Sequence, residues 1–396
     1  MKVTSSAGFG EENHLLRRFG KDRRVRLVFL IRSLGIGGAE RQLVELAKGL
    51  DQALFDITVL CFYGGGEFMQ ELRSANVPVI SLDKKGRWDI AVFFERLLRL
   101  LRKLQPDVLH SYMTGANLVA VLSKPALPKT RVVWRIAGAY VELDQFGWLE
   151  CLASRVQVLS SHFPDLIVFN SFAGRDYHLS SGFAGSRAIV IHNGIDTKRF
   201  APDSRSGSQR RASWQIPEGS LLIGLVGRLD PIKDHQTFLR AVAIFSRSNP
   251  DARFVCIGGG PETYFRDLRA LGERLDVAKK VAWSGSVSDM SSAYNALDIC
   301  CSSSYGEGTS NVIAEAMACG VPCVVTDVGD SALIVGETGV VVPPRNPEAL
   351  AAGWAALAQR KMANSQLSET TQKRIELHFG LPALVSKTSE SLLDLL

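Results

Sequence analysis

The stretch DICCSSSYGEGTSNVIAEAMACGVPCVVTD, residues 298–327, sets the architecture of the chain. DICCSS (298–303) is short, apolar and closed by small residues, the pattern of a buried parallel strand. The loop YGEGTS (305–310) follows, and the spacing then predicts a helix from about Asn311 to Cys319. Thr309 or Ser310 can cap its start, Gly320 suits the position after its end, and Pro322 bars continuation. PCVVTD (322–327) is the next strand. Strand, helix and strand in this order make a βαβ unit. The loop then lies at the carboxyl end of a strand, where open α/β sheets bind ligands.

The same alternation runs outward from this unit. Strand-sized runs read RLVFLI (26–31), FDITVLCF (55–62), PVISL (78–82), DVLH (107–110), RVVWRI (131–136), DLIVF (165–169) and AIVIH (188–192). A second set reads LLIGLVG (221–227), ARFVCIG (252–258), VAWSG (281–285), the two strands above, and GVVV (339–342). Helical stretches such as 39–49, 90–104, 236–247 and 262–275 separate them. Between the sets lies APDSRSGSQRRASWQIPEGS (201–220), rich in Ser and Arg and without periodicity. All these strands in one sheet would be unusually wide. The fold class expected is therefore α/β, with two Rossmann-like, doubly wound parallel-sheet domains facing a cleft. The divisions are a basic extension 1–25, a first domain 26–200, a linker 201–220 and a second domain 221–380. A last amphipathic helix falls within 381–396.

Composition narrows the function. Of 396 residues, 46% are hydrophobic and 22% charged, which excludes a disordered chain. The net charge of +6 is too mild to argue for nucleic acid. It is uneven, since residues 1–200 hold 27 basic and 19 acidic side chains, so an anionic partner belongs with the first half. No apolar run is long enough to span a membrane, and the charges of the N-terminal segment precede no signal-length apolar region. The seven cysteines show no zinc spacing and read as buried thiols. These features together predict a cytoplasmic protein.

Four motifs stand at or near expected strand ends. Gly35, Gly37 and Gly38 form a turn into a helix, a geometry that lets backbone N–H groups approach a phosphate. Arg228 and Lys233 follow the first strand of the second domain and suit a diphosphate. Glu307 in the loop and Glu315 on the helix flank the helix N-terminus. Glu315 lies about 6 Å along the axis from Asn311. Two carboxylates so placed can grip hydroxyls at either end of a pyrophosphate. RWDIAVFFERLLRLLRKLQ (87–105) sets Phe93, Phe94, Leu97, Leu98, Leu101 and Leu104 on one face, with Arg96, Arg99, Arg102 and Lys103 on the rest. It reads either as a cover for the first sheet or as a peripheral contact with the inner face of a membrane.

GGAER (37–41), NGID (193–196), GRLDPIKD (227–234), GGGPE (258–262), GSVSDM (285–290) and EGTSNVIAEAMACGVP (307–322) occur in that order. Over residues 26–396 the chain thereby resembles a retaining glycosyltransferase of family 4, with the GT-B fold. The resemblance implies transfer of a hexose from a UDP- or GDP-linked sugar to a glycan or lipid-linked acceptor, without metal or cofactor, in surface polysaccharide or glycoconjugate synthesis. It assigns Arg228 and Lys233 to the diphosphate, Glu307 to the transferred sugar and Glu315 to the ribose. It places Gly308, Thr309, Ser310 and Asn311 at the phosphates and sugar, Gly37 and Gly38 beneath the pyrophosphate, and Ser286 and Val287 along the base. The last helix resembles one that crosses back onto the first domain.

Two departures bear on acceptor chemistry. Many relatives carry His or Arg after the strand that is RVVWRI here, whereas this chain has Ala137 and Gly138, with Arg135 nearby. The residue before NGID is His192, where Pro is common. His110, expected to end the strand DVLH, is the remaining catalytic candidate in the cleft. Other readings are a non-catalytic sugar-nucleotide binding protein or a dinucleotide oxidoreductase. Against the latter, the glycine fingerprint fails at Glu40 and Thr263.

Overall fold

The computed structural model describes residues 23–86, 88–137 and 148–396, with the backbone alone for 148–151. Seven short strands carry the first set of apolar runs: β1 (Val25–Ile31), β2 (Phe55–Cys61), β3 (Val79–Ser81), β4 (Val108–Tyr112), β5 (Arg131–Ile136), β6 (Leu166–Phe169) and β7 (Ala188–Val190). All pairings are parallel, in the order β3-β2-β1-β4-β5-β6-β7. The second sheet contains β8 (Leu222–Val226), β9 (Arg253–Ile257), β10 (Val281–Gly285), β11 (Ile299–Ser302), β12 (Cys323–Thr326) and β13 (Val340–Val342). It is also parallel, in the order β10-β9-β8-β11-β12-β13. Both faces of each sheet are covered, so the strands are apolar almost throughout.

In each sheet the order reverses beside its first strand. Loops leaving β1 and β4, and those leaving β8 and β11, therefore part in opposite directions and open a crevice. Sequence and topology agree here, because Gly37 and Gly38 follow β1, Arg228 and Lys233 follow β8, and Glu307 follows β11.

The chain crosses between the sheets twice. After β7 it enters the second domain, and after helix Leu367–His378 it returns as helix Leu381–Asp394. Leu384, Leu392 and Leu393 of that helix are buried in the core of the first sheet. The return is pinned by backbone bonds from Ile195 N to Phe379 O (2.8 Å) and from Leu381 N to Ile195 O (3.0 Å).

Two expectations are corrected, and the cover reading of the amphipathic stretch is seen. Residues 201–220 are not a structureless linker, because Ser204–Ser213 is a helix. Asp203 caps it by accepting from the N–H groups of Arg205 and Ser206. Polar contacts to the second domain hold it, including Arg211 Nη2 to Asp298 Oδ2 at 2.5 Å, so no apolar period marked it in the sequence. Strand β4 does not end at His110 but runs on to Tyr112. The amphipathic stretch forms helix Ile90–Leu104, whose Phe93, Leu97 and Leu101 are buried against the first sheet. That part of its apolar face is occupied, while Ile90 and Val92 near its start are exposed, as are Arg96, Arg99, Arg102 and Lys103. Arg87 and the extension through Asp22 lie outside the described residues. Among the described residues no helix is long and apolar enough to cross a membrane.

Candidate active site

The loop after β11 is built against the loop after β8. Ser303 Oγ donates to the carbonyls of Lys233 (2.8 Å) and Asp234 (3.0 Å), and Tyr305 N donates to Ile232 O at 3.0 Å. This bracing brings Lys233 Nζ to 2.5 Å from Glu307 Oε1, which also accepts from Ser304 Oγ at 2.8 Å. Oε2 of Glu307 has no hydrogen-bond partner among the described residues. Arg228 is 81% exposed at its side chain and leans on Asp230 at 3.3 Å, so the two expected cations differ in kind. Lys233 is fixed in an ion pair, and Arg228 stands in solvent at the cleft rim.

Gly258 and Gly260 pack against the loop after β8. Gly258 has φ +143°, and a side-chain carbon there would lie 2.0 Å from the carbonyl oxygen of Gly227. Backbone packs on backbone, and only glycine fits.

Helix Asn311–Ala318 begins directly after the Glu307 loop. Ser310 occupies the cap position without a side-chain bond, so the first N–H groups receive no side-chain cap from it. Thr309 Oγ1 instead reaches across the cleft and donates to Asn170 O at 2.5 Å. Glu315, one turn into the helix, accepts from the Tyr294 hydroxyl at 2.8 Å. Burial pushes its carboxyl up to about 7, against the opposing effect of that hydroxyl. Ser286 is exposed and Val287 half-buried just beyond edge strand β10, on the flank of the same crevice.

The first domain brings its own helix N-terminus to this point. Gly37 caps helix Gly38–Gly49, and a side-chain carbon on Gly38 would sit 3.9 Å from Asn311 Nδ2. Asn193, of NGID, donates from Nδ2 to Asn311 Oδ1 at 2.9 Å and accepts from Arg135 Nη2 at 3.1 Å. Gln42 holds Gly194 by a pair of bonds of 2.9 and 2.7 Å. A cavity of about 150 Å³ lies between the two helix ends.

His110 is corrected. Its side chain is 0% exposed and packs between Phe29 and Tyr112, with ring centroids 5.4 and 5.0 Å away. Neither ring nitrogen has a partner among the described residues. Burial, reinforced by the Arg135 charge, pulls its pKa down to about 3. It is a neutral core residue, because β4 continues for two residues and gives the cleft end to Tyr112.

The residue that the sequence reading missed is Asp330. From the second domain its Oδ2 and Oδ1 accept the N–H groups of Phe172 (2.8 Å) and Ala173 (3.0 Å), at the start of a first-domain helix. His192 Nε2 lies 2.7 Å from Oδ2, which gives that unusual residue its place. Burial alone would raise the Asp330 pKa, but the bonds from His192 and the two N–H groups outweigh it and hold the carboxyl below its ordinary value. Its own N–H donates to Gly308 O at 2.9 Å, and Gly329, at φ +58°, allows that close approach. The only sequence signal was an Asp beyond a strand end in TDVGD (326–330).

Two family models match the chain. One described as Glycosyltransferase Family 4 covers residues 36–199, and one described as Glycosyl transferases group 1 covers 220–360. The UDP-Gal:alpha-D-GlcNAc-diphosphoundecaprenol alpha-1,3-galactosyltransferase of Escherichia coli is 22% identical over 91% of this chain and 94% of its own length. The D-inositol 3-phosphate glycosyltransferase of Saccharomonospora viridis is 30% identical, over 58% of this chain and 55% of that protein. Among solved structures, Anabaena HepE in complex with UDP superposes with a TM-score of 0.82 at 21% identity, covering 93% of this chain and all of that one.

Glu315 provides a test of the site's electrostatics. Its folded pKa stands near 7 against an ordinary 4.5, so between those values the folded chain keeps a proton that the unfolded chain has lost. That group makes stability fall as pH rises through the interval. In melting-temperature series over this range, Glu315→Gln should remove part of the fall and melt above the wild type at the upper end. Parallel curves for the two proteins would contradict the assignment.

Proposed function

Because the chain belongs to the family 4 glycosyltransferases of the GT-B fold, with the two family models matching its two domains in turn, we propose that its cleft transfers a hexose with retention and without metal. The donor is a UDP- or GDP-linked sugar. The acceptor is a glycan or lipid-linked glycan, as the name of the Escherichia coli relative suggests, in surface polysaccharide or glycoconjugate synthesis. The observation that carries this reading is the convergence of Lys233, Glu307 and an N-terminus of helix Asn311–Ala318 without a side-chain cap at the switch point of the second sheet. A diphosphate at that helix end meets N–H groups and the positive end of the dipole. Lys233 and Arg228 add charge where the leaving phosphate develops it.

Each carboxylate then has a separate part. Glu307, fixed by Lys233 and Ser304, presents its second oxygen to a hydroxyl of the transferred sugar. Glu315, steadied by Tyr294, presents its other oxygen to the ribose. Catalysis on this reading is positioning and charge stabilisation. Contact with an anionic membrane face falls to the exposed Arg99, Arg102 and Lys103.

The two glutamates should fail differently. Glu307→Gln should keep free nucleoside diphosphate binding while transfer falls by about 10²–10³. Glu315→Gln should weaken donor and nucleoside diphosphate alike, by about 1.5–3 kcal/mol. Calorimetric titration of both variants with donor and with nucleoside diphosphate checks this, and equal loss of nucleoside diphosphate affinity would refute the division. Transfer should also continue in EDTA at the wild-type rate. Loss that only a divalent ion restores would overturn the metal-free reading.

A further inference from the structure

Arg135, next to last in β5, is 3% exposed. Its Nη2 donates to Asn193, and its Nη1 is buried with no partner among the described residues. No carboxylate forms an ion pair with it among the described residues. A buried charge without a counter-charge is costly, and one held there needs an anion from elsewhere. Side-chain direction alternates along a strand, so Arg135 and Ala137 face the same way. Both line the 150 Å³ cavity, and the small Ala137 leaves room beside the guanidinium. Gly38 and Asn311, the first residues of two facing helices, line it too. The volume is below the roughly 300 Å³ at which pockets for whole drug-sized ligands begin, so the cavity takes one group of a substrate. A guanidinium and two helix N-termini are donors that suit phosphate.

We infer that Arg135 is a phosphate-binding residue at the floor of the cleft, engaging a phosphate of the bound substrates together with the N–H groups that open the two helices. The inference rests on the donor reading only for the source of that phosphate. The distal phosphate of a nucleoside diphosphate and a phosphate on the acceptor offer the same oxygens. Arg135 differs from the other two cations, since Lys233 is tied to Glu307 and Arg228 stands in solvent.

The test is a ³¹P NMR titration with inorganic phosphate on the full chain, in the presence of UMP and then of UDP, with GMP and GDP in parallel. Wild type should bind phosphate at least tenfold more tightly than Arg135→Met. Arg135→Lys should fall between them. If saturating nucleoside diphosphate abolishes the Arg135-dependent binding, the residue takes the donor's distal phosphate. Arg135→Met should then also lose at least tenfold in preference for diphosphate over monophosphate. If the binding survives, the residue takes the acceptor's phosphate. Without anion, Arg135→Met should melt at or above the wild type, because it removes an unpaired buried charge. A variant that binds phosphate and nucleotides like wild type, or that melts well below it with both affinities unchanged, would overturn the inference. Phosphate binding through Arg135 in a wild type that binds neither UDP nor GDP would sink the donor reading and leave this one standing.

Discussion

Two helix N-termini face each other across the cleft, and their mutual repulsion is the constraint around which the rest is arranged. Each end carries partial positive charge and unsatisfied N–H groups. Helix Gly38–Gly49 carries Glu40 in its first turn, with the carboxylate close to Gly37, whereas helix Asn311–Ala318 has no acidic residue in its first turn. Such an approach holds only if other bonds offset it. The Asp330 carboxylate supplies three of them by capping a first-domain helix and meeting His192. Asn193 to Asn311 and Thr309 to Asn170 supply two more. The approach is thus fastened by these bonds around the rim, with Arg135 as the cation that lines the cavity between the helix ends.

The same constraint explains the neighbouring carboxylates. Glu307 is neutralised by Lys233, and burial drives Glu315 toward the protonated state. The Glu307 charge is thus compensated, and that of Glu315 is reduced by burial. Asp330 is ionised, but its oxygens are taken by the first domain. The site therefore holds its acids in reserve while it exposes N–H groups and cations.

Much of this was legible in the sequence. Apolar runs bounded by glycine and small residues located the strands, because a parallel strand covered on both faces needs little else. The positions of Gly37, Gly38, Lys233 and Glu307 after β1, β8 and β11 could be read because order in the sequence gives strand ends directly. Residues defined by contacts between distant segments stayed hidden. Asp330 acts on an amide 158 residues away, and nothing local marks it. Helix Ser204–Ser213 is held by arginine contacts, so it lacked an apolar period. His110 was misplaced by a two-residue error in the end of β4, enough to move a side chain from cleft to core. Arg135 stands in an apolar strand, and only the cavity above it shows why a cation is there.

Amide hydrogen exchange of the full chain, with and without saturating UDP or GDP, tests the central claim most directly. A substrate anion held between the two helix N-termini should slow exchange at once in residues 37–41 of the first domain and 308–313 of the second. Protection confined to one of these segments, or absent from both while the nucleotide is bound, would show that the facing helix ends do not share the anion.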